Sequence, residues 1–473
     1  MRLLLLMVTT SLLAQDADLV LRTSVGYRTQ LASLPLTEAQ KAEATKLGEQ
    51  AQAAGFGGKF KEAMRDYTHG IAVMRGMAWT PTVELASALQ ASVDDAIANP
   101  GQTLQFTLDT LFPVTATAPD QAAKVALRLI LRPVPQGEDI ALAAPSEISS
   151  AVLPLKLQVK LPANAAGNYN LIADLSDPAP TGAHLLKTVP IRVAGLEADA
   201  AKLAARLKKN PLPAAEYSLV LYQNAERGKA NPHRFDFVQQ FADANQLLDT
   251  AAAGQSPFDG RQGDLHQAYR STVDQTLQPY RVYVPKAYQG KPLPLVVALH
   301  GMGGDETSLM EGYGGNLKRE AERLGFFLVT PKGREPASMY RGTAEKDVMD
   351  VLAEVERAYK IDPKRVYLMG HSMGAYGTWS ISMAFPDRFA ALGPISGGGS
   401  AAGMEKIKHI PQFVVHGDND KTVPVTQSRV MVEAGKKAGA KIEYIEVPGG
   451  SHVDIAVPNF APMLDFFAKQ ARE

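Results

Sequence analysis

One serine in this sequence stands where it could act as a nucleophile. Residues 370–374 read Gly-His-Ser-Met-Gly, with Ser372 at the centre, and they follow the apolar run Val366–Met369. Residues 375–384 have the composition of a helix. A G-x-S-x-G pattern between a strand and a helix places the serine on a tight turn, from which its hydroxyl projects beyond the sheet. The pattern therefore predicts Ser372 as the nucleophile.

A serine hydroxyl needs a base to take its proton, and the base needs an acid to orient it. His452 follows the predicted strand Ile442–Val447 on a glycine-containing loop, so we expect it to turn toward the serine. Asp418 and Asp420 both follow the stretch Gln412–His416. Spacing alone does not choose between them, because either could be a turn-forming aspartate.

A glycine-rich loop supplies candidates for an oxyanion hole. Residues 300–305 read His-Gly-Met-Gly-Gly-Asp and follow another apolar run. Glycines allow backbone N–H groups to point at a developing oxyanion, and we predict that the donors are the amides of Met302 and Met373. His300 and His416 stand at strand ends, where they are interpreted as structural hydrogen-bonding groups.

These residues lie in a segment that alternates strands with helices. The predicted strands are 280–284, 295–299, 326–330, 366–369, 391–395, 412–416 and 442–447. Helical segments such as 344–359 and 428–438 lie between them. Apolar strands separated by helices indicate a mostly parallel sheet that is covered on both faces. The working residues of such sheets lie at the carboxyl ends of the strands. Residues 264–473 are therefore predicted to be one catalytic domain.

Residues 278–473 resemble the esterase and polyhydroxybutyrate-depolymerase-like branch of the α/β-hydrolase family, which also includes feruloyl and acetylxylan esterases. The matching stretches are 278–285, 299–301, 370–374, 416–424 and 450–452. In that family the acid is the aspartate four residues after the histidine of the His-Gly pair, which implies Asp420. The resemblance implies hydrolysis of carboxylic esters through an acyl-enzyme, with Ser372, Asp420 and His452 as the triad.

Two other functions are considered. Peptidases of the prolyl-oligopeptidase type share this catalytic fold, but they usually carry a β-propeller, for which the β segment here is too short. A non-catalytic binding protein on a decayed hydrolase fold would usually lack a member of the triad, and all three residue types are present. The predicted substrate is a small ester or an ester linked to a polysaccharide.

Composition excludes several kinds of site. The 473 residues contain no cysteine, so a cysteine nucleophile, thiolate zinc sites and disulfides are excluded. Lys+Arg and Asp+Glu number 49 each, so no net charge attracts nucleic acid or an anionic membrane. We expect no cofactor, no metal, no nucleic-acid partner and no stable membrane insertion.

The beginning of the chain has the pattern of a secretory signal. Arg2 precedes a mostly apolar run over residues 3–13, and Ala14 is a small residue before a polar stretch. Such a run is too short for a permanent membrane span. Residues 1–14 are therefore predicted to direct export to the periplasm or the exterior.

Two further regions are predicted before the catalytic domain. Residues 15–81 form a helical segment, in which Thr37 and Gln40 have the spacing of a capping box for a helix that ends near Ala54. A second helix is indicated by apolar residues at steps of three and four, namely Phe60, Ala63, Tyr67, Ile71 and Met74.

Residues 82–195 then alternate with a period of two, and strands are predicted at 104–108, 125–131, 155–161, 169–175 and 185–193. Short strands at this spacing favour an immunoglobulin-like β-sandwich. Residues 196–263 are predicted to be a helical connector and linker. The fold is thus multidomain.

Overall fold

The fold is given by a computed structural model, which describes residues 19–20, 23–24, 26–114, 123–145, 147–176, 184–258 and 260–473. The chain divides into two compact units. The first comprises the described residues of Met1–Arg206 together with Ser218–Asp243, and the second comprises Leu207–Tyr217 and Ala244–Glu473. The predicted signal, residues 1–14, lies outside the described residues. Within the described residues, no helix is both long and apolar enough to cross a membrane.

The first unit contains the predicted pair of helices, α1 (Glu38–Phe56) and α2 (Phe60–Met74), which follow a helical stretch at residues 26–33. The capping box is present, because the Thr37 side chain accepts from the Gln40 amide and the Gln40 side chain accepts from the Thr37 amide. Helix α1 runs two residues beyond the predicted end at Ala54 and stops at Gly57. The two helices share an apolar cluster that includes Tyr67.

The β region starts later than predicted, because residues 81–88 form helix α3 (Pro81–Ala88). Thr80 caps this helix by accepting from the Val83 amide, and proline suits its first turn. The strands that follow are β1 (Leu89–Val93), β2 (Ile97–Ala98), β3 (Thr103–Thr110), β4 (Lys124–Val134), β5 (Ile140–Leu142), β6 (Glu147–Ser149), β7 (Leu155–Lys160), β8 (Gly167–Ser176) and β9 (His184–Val193). The five predicted strands are confirmed.

These strands form two sheets that share one core. One sheet has the order β1-β3-β7, and the other has the order β2-β9-β8-β4-β5 with β6 also paired to β4. Phe106 of the first sheet and Leu171 of the second are fully buried in the same apolar cluster. Helices α4 (Glu197–Lys209), α5 (Pro213–Glu226) and α6 (Phe237–Ala252) follow, with the predicted break at Pro211 and Pro213.

The second unit is built on one sheet of eight strands: β10 (Gly263–Arg270), β11 (Leu277–Val284), β12 (Leu293–Leu299), β13 (Phe327–Pro331), β14 (Ile361–His371), β15 (Ala391–Ile395), β16 (Gln412–Gly417) and β17 (Ile442–Val447). Its order is β10-β11-β13-β12-β14-β15-β16-β17. The pairs from β13 to β17 are parallel, and the first two strands are antiparallel additions at one edge. The seven predicted strands and the mostly parallel sheet are confirmed, whereas β10 was not predicted.

Both faces of this sheet are covered. The helices are α7 (Asn316–Leu324), α8 (Thr343–Ala358), α9 (Met373–Ala384), α10 (Thr426–Lys437) and α11 (Ala456–Ala468). Successive residues of β12 belong to different apolar clusters: Val297 packs in the cluster of α8, α9 and α10, and Val296 packs in the cluster of α7 and α11. A sheet buried on both faces leaves the ends of its strands as the place for polar chemistry.

Candidate active site

Ser372 lies on the turn between β14 and α9. Its backbone has φ 57° and ψ −119°, a conformation that residues with a side chain rarely adopt. The Ser372 amide donates to the Ile395 carbonyl at the end of β15, which helps to fix the turn (2.9 Å). The strained turn holds the hydroxyl at the carboxyl edge of the sheet, as the G-x-S-x-G pattern predicts.

The two glycines of the pattern are required by close packing. A Cβ atom on Gly370 would collide with the Gly374 carbonyl, and a Cβ atom on Gly374 would collide with the Leu299 carbonyl at the end of β12. Strand β14, helix α9 and strand β12 therefore approach each other too closely for any side chain at these positions.

The structure brings Ser372, His452 and Asp420 together in one hydrogen-bonded chain. The Ser372 Oγ lies 2.9 Å from His452 Nε2, and His452 Nδ1 lies 2.7 Å from Asp420 Oδ2. A carboxylate only accepts, so Nδ1 carries the proton and donates to Asp420. Nε2 is then the acceptor for the serine hydroxyl. This is the tautomer that a histidine needs in order to take a proton from serine.

Asp420 is buried and accepts four hydrogen bonds. Its Oδ1 accepts from the amides of Thr422 and Val423, and its Oδ2 accepts from His452 and from His416 Nε2 (3.1 Å). Burial acts to raise the pKa of Asp420, but the hydrogen bonds from His416, His452 and Val423 outweigh it and hold the pKa well below its ordinary value. Asp420 is therefore an ionised carboxylate at neutral pH.

Asp418, the other candidate for the acid, is placed differently. It is exposed, and its Oδ1 accepts from the Gly449 amide at 2.7 Å. This contact joins two loops at the edge of the sheet, as a turn-forming aspartate would. Of the two candidates, it is Asp420 that contacts His452.

The predicted oxyanion loop passes beside the nucleophile. A Cβ atom on Gly301 would lie 3.3 Å from the Ser372 Cβ. Among the residues that the structure describes, neither the Met302 amide nor the Met373 amide donates to a backbone carbonyl. The loop is held from its other side, where the Gly303 amide donates to the Pro336 carbonyl (2.8 Å). Within the described residues these two amides are thus not used by backbone hydrogen bonds, and Met373 is adjacent to Ser372 in the chain.

Two histidines outside the predicted triad contact it. His416, interpreted from the sequence as a structural hydrogen-bonding group, is fully buried and donates to Asp420. His371, which was noted only as the second residue of the G-x-S-x-G pattern, has its Nε2 2.7 Å from the His452 carbonyl oxygen. No spacing rule predicts either contact, although a histidine immediately before the nucleophile was visible in the sequence.

The side chain of His300 does not belong to the hydrogen-bonded triad. Its two ring nitrogens bond to the carbonyl oxygens of Gly301 and Lys332. In the described part of the chain, no group of three or more histidine, aspartate or glutamate side chains is arranged to hold a metal ion.

Comparison with known proteins finds no matching family model. A bifunctional acetylxylan esterase/xylanase of Neocallimastix patriciarum is 31% identical over 137 residues, which cover 28% of this chain and 20% of that protein. Feruloyl esterase B of Neurospora crassa is 34% identical over 127 residues, covering 24% of this chain and 42% of the esterase. Poly(3-hydroxyalkanoate) depolymerase C of Paucimonas lemoignei is 31% identical over 118 residues, covering 22% and 28%.

The chain thus spans less than half the length of these curated relatives. Their names are those of carboxylic ester hydrolases and a depolymerase. The resemblance to this branch of esterases, expected from the sequence, is confirmed by these relatives.

Proposed function

We propose that this chain hydrolyses carboxylic esters through an acyl-enzyme, with Ser372 as nucleophile, His452 as general base and Asp420 as the acid that orients the base. The observation that carries the proposal is the continuous chain of hydrogen bonds from Ser372 Oγ through both nitrogens of His452 to Asp420. The names of the relatives favour an ester over a peptide as the substrate.

Acylation follows from this geometry. His452 Nε2 takes the hydroxyl proton as Ser372 Oγ forms a bond to the carbonyl carbon of the ester, whose oxygen becomes an oxyanion. Asp420 remains ionised and stabilises the imidazolium through Nδ1–H. The imidazolium then gives its proton to the alkoxy oxygen as the carbon–oxygen bond breaks. An alcohol leaves, and the acyl group stays on Ser372.

Deacylation repeats these steps with water in place of serine. His452 takes a proton from water as the water oxygen attacks the acyl carbon, and it returns that proton to Ser372 Oγ as the acid leaves. The amides of Met302 and Met373 stabilise the oxyanion in both halves of the reaction. The support for this role is that Met302 follows Gly301, which lies beside Ser372, and that Met373 follows Ser372 in the chain. The loss of one such donor typically costs about 10²–10³ in kcat.

The proposed substrates are acyl or aromatic esters, either small or attached to a polysaccharide. The support is the naming of relatives as acetylxylan and feruloyl esterases. We also propose that residues 1–14 direct export, on the basis of the basic and apolar pattern of that segment. Mass spectrometry of the exported protein would then find an N-terminus near residue 15.

For the two-sheet part of the first unit we propose an immunoglobulin-like topology. The support is the pairing of its first two strands. Strand β1 pairs antiparallel with β3 in one sheet, and β2 pairs parallel with β9 in the other. Consecutive strands thus cross between the two sheets, and both sheets pack on one apolar core.

The activity is tested by hydrolysis of p-nitrophenyl acetate. The wild-type protein should release nitrophenol with an initial burst close to one equivalent if deacylation is the slower step. Ser372→Ala should lower kcat by about 10⁵-fold or more, because it removes the hydroxyl that forms the acyl-enzyme. Ser400→Ala, at an exposed serine of the same unit, is the matched control and should behave as wild type. Equal activity of Ser372→Ala and wild type would show that the nucleophile lies elsewhere.

A further inference from the structure

The backbone carbonyl of His452 is held by two side-chain donors. His371 Nε2 lies 2.7 Å from this oxygen, and Ser396 Oγ lies 3.2 Å from it. His371 is buried, and its ring lies 4.9 Å from the His452 ring between centroids. His452 is therefore held by hydrogen bonds to its backbone carbonyl as well as to its ring.

The protonation of His371 follows from its neighbours. A carbonyl oxygen only accepts, so Nε2 carries a proton and donates to His452. On the other side of the ring, Nδ1 lies 3.1 Å from the Tyr313 hydroxyl. Burial lowers the pKa of His371 to about 4 and raises the pKa of Tyr313 to about 12. At neutral pH the Tyr313 hydroxyl therefore donates to an unprotonated Nδ1, and this hydrogen bond fixes the tautomer that donates to His452.

Two consecutive residues of the tight turn thus bind opposite ends of one histidine. Ser372 Oγ meets the ring of His452, and His371 Nε2 meets its carbonyl oxygen. His452 stands on a loop after β17 that includes Gly449 and Gly450, and glycines leave a loop backbone with more freedom than other residues do. The hydrogen bond from His371 ties this loop to the turn that carries the nucleophile.

We propose that His371 is a positioning residue, which sets the distance between the nucleophile and the base by fixing the main chain of His452, with Tyr313 fixing the tautomer of His371. The inference rests on the proposed roles of Ser372 and His452. It adds a requirement to that mechanism: the residue before the nucleophile must present an N–H group at the position of His371 Nε2.

The first test is His371→Leu, which keeps the apolar packing and removes the donor. We expect kcat for p-nitrophenyl acetate to fall between about 10- and 100-fold, because a misplacement near 1 Å costs about 10²-fold and Ser396 still holds the carbonyl oxygen. KM should change by less than about 3-fold, since His371 is not placed to touch the substrate. Tyr313→Phe should lower kcat by about 2- to 5-fold through the weaker control of the tautomer.

A matched pair of amides separates positioning from packing. The side-chain N–H of glutamine reaches the place of the imidazole Nε2, whereas that of asparagine reaches only the place of Nδ1. His371→Gln should therefore recover kcat to within about 5-fold of wild type, and His371→Asn should remain at least about 10-fold lower. Thermal melting of each variant checks that it is folded, so that the kcat values of folded proteins are compared. If His371→Leu does not fold, the glutamine and asparagine variants decide.

Equal kcat values for folded His371→Gln and His371→Asn would overturn the inference, as would a folded His371→Leu with kcat within 2-fold of wild type. A wild-type protein that hydrolyses no ester and whose Ser372 reacts with no fluorophosphonate would instead refute the proposed function. The two failures are therefore distinguishable.

Discussion

The two units carry different kinds of polar contact beside their apolar cores. In the second unit both faces of the sheet are covered by apolar clusters, and buried polar groups such as Asp420 and His416 gather where strands end. In the two-sheet part of the first unit the shared core is apolar, and an ion pair such as Arg132–Asp139 lies exposed on a strand and the turn beside it.

The loss of one partner should therefore have a different free-energy cost in the two kinds of contact. A buried network of hydrogen bonds lies in a medium of low dielectric, where the loss of one partner is expensive. An exposed ion pair is screened by water and contributes little. Substitutions at the strand ends of the second unit should therefore change the chemistry, whereas substitutions in the first unit should change only stability.

The largest contrast is expected between the two aspartates of the loop after β16. Asp420→Asn should lower kcat by about 10⁴-fold, because an amide does not favour the tautomer in which His452 Nδ1 donates. Asp418→Asn is the matched control, and it should lower kcat by less than about 3-fold because that side chain accepts from the Gly449 amide and does not contact His452 in the described structure. Kinetics with p-nitrophenyl acetate measure both values. The reverse order of effects would show that Asp418 is the acid.

A core substitution in the first unit tests the other half of the comparison. Phe106 is fully buried between the two sheets, so Phe106→Ala should cost about 3–5 kcal/mol in the free energy of unfolding. Urea denaturation measures this loss, with Phe106→Leu as a milder control. The kcat for a small ester should stay within about 2-fold of wild type at temperatures where both units are folded. A 10-fold fall in kcat would show that the first unit takes part in the chemistry.

A pH dependence of stability is expected from His371. Burial lowers its pKa from 6.5 to about 4, while in the unfolded chain it takes up a proton near pH 6.5. The unfolded state therefore binds more protons between these values, so this contribution to stability is complete above pH 6.5 and is lost as the pH falls toward 4, by about 3 kcal/mol. Unfolding of wild type and His371→Gln at pH 7.5 and 4.5 tests this. An equal loss in both proteins would mean that another group is responsible.

The smallest effect should come from the surface of the first unit. Arg132 and Asp139 form an ion pair in which both side chains are more than 40% exposed. Asp139→Ala should therefore change the free energy of unfolding far less than Phe106→Ala does and should leave kcat unchanged. A loss as large as that of Phe106→Ala would contradict the view that the polar contacts of this surface contribute little.

Long apolar elements and the local site pattern were predictable from the sequence. Strands such as β12 and β15 are buried on both faces and contain no charged or strongly polar residue, and the glycines around Ser372 mark the turn between strand and helix. The choice of Asp420 needed the family resemblance, since Asp418 and Asp420 have the same local chemistry. The structure separates them by burial and by contact with His452.

The remaining features depend on contacts between distant residues. Strand β2 has only two residues, and β5 and β6 have three each, so they have no detectable period. Residues 81–88 form a helix although they precede a region of alternating residues, because a threonine cap and a following proline favour a helical start. His371 and His452 are 81 positions apart, and their hydrogen bond exists only after both loops reach the edge of the sheet.

The most direct test of the account is the reaction of the intact wild-type protein with a fluorophosphonate, followed by peptide mass spectrometry. The hydrogen-bonded chain of Ser372, His452 and Asp420 predicts one modification per chain, on the peptide that contains Ser372, and it predicts that Ser372→Ala and Asp420→Asn react far more slowly. Modification of a different serine, or a folded wild-type protein that stays unmodified, would contradict the assignment of Ser372 as the nucleophile.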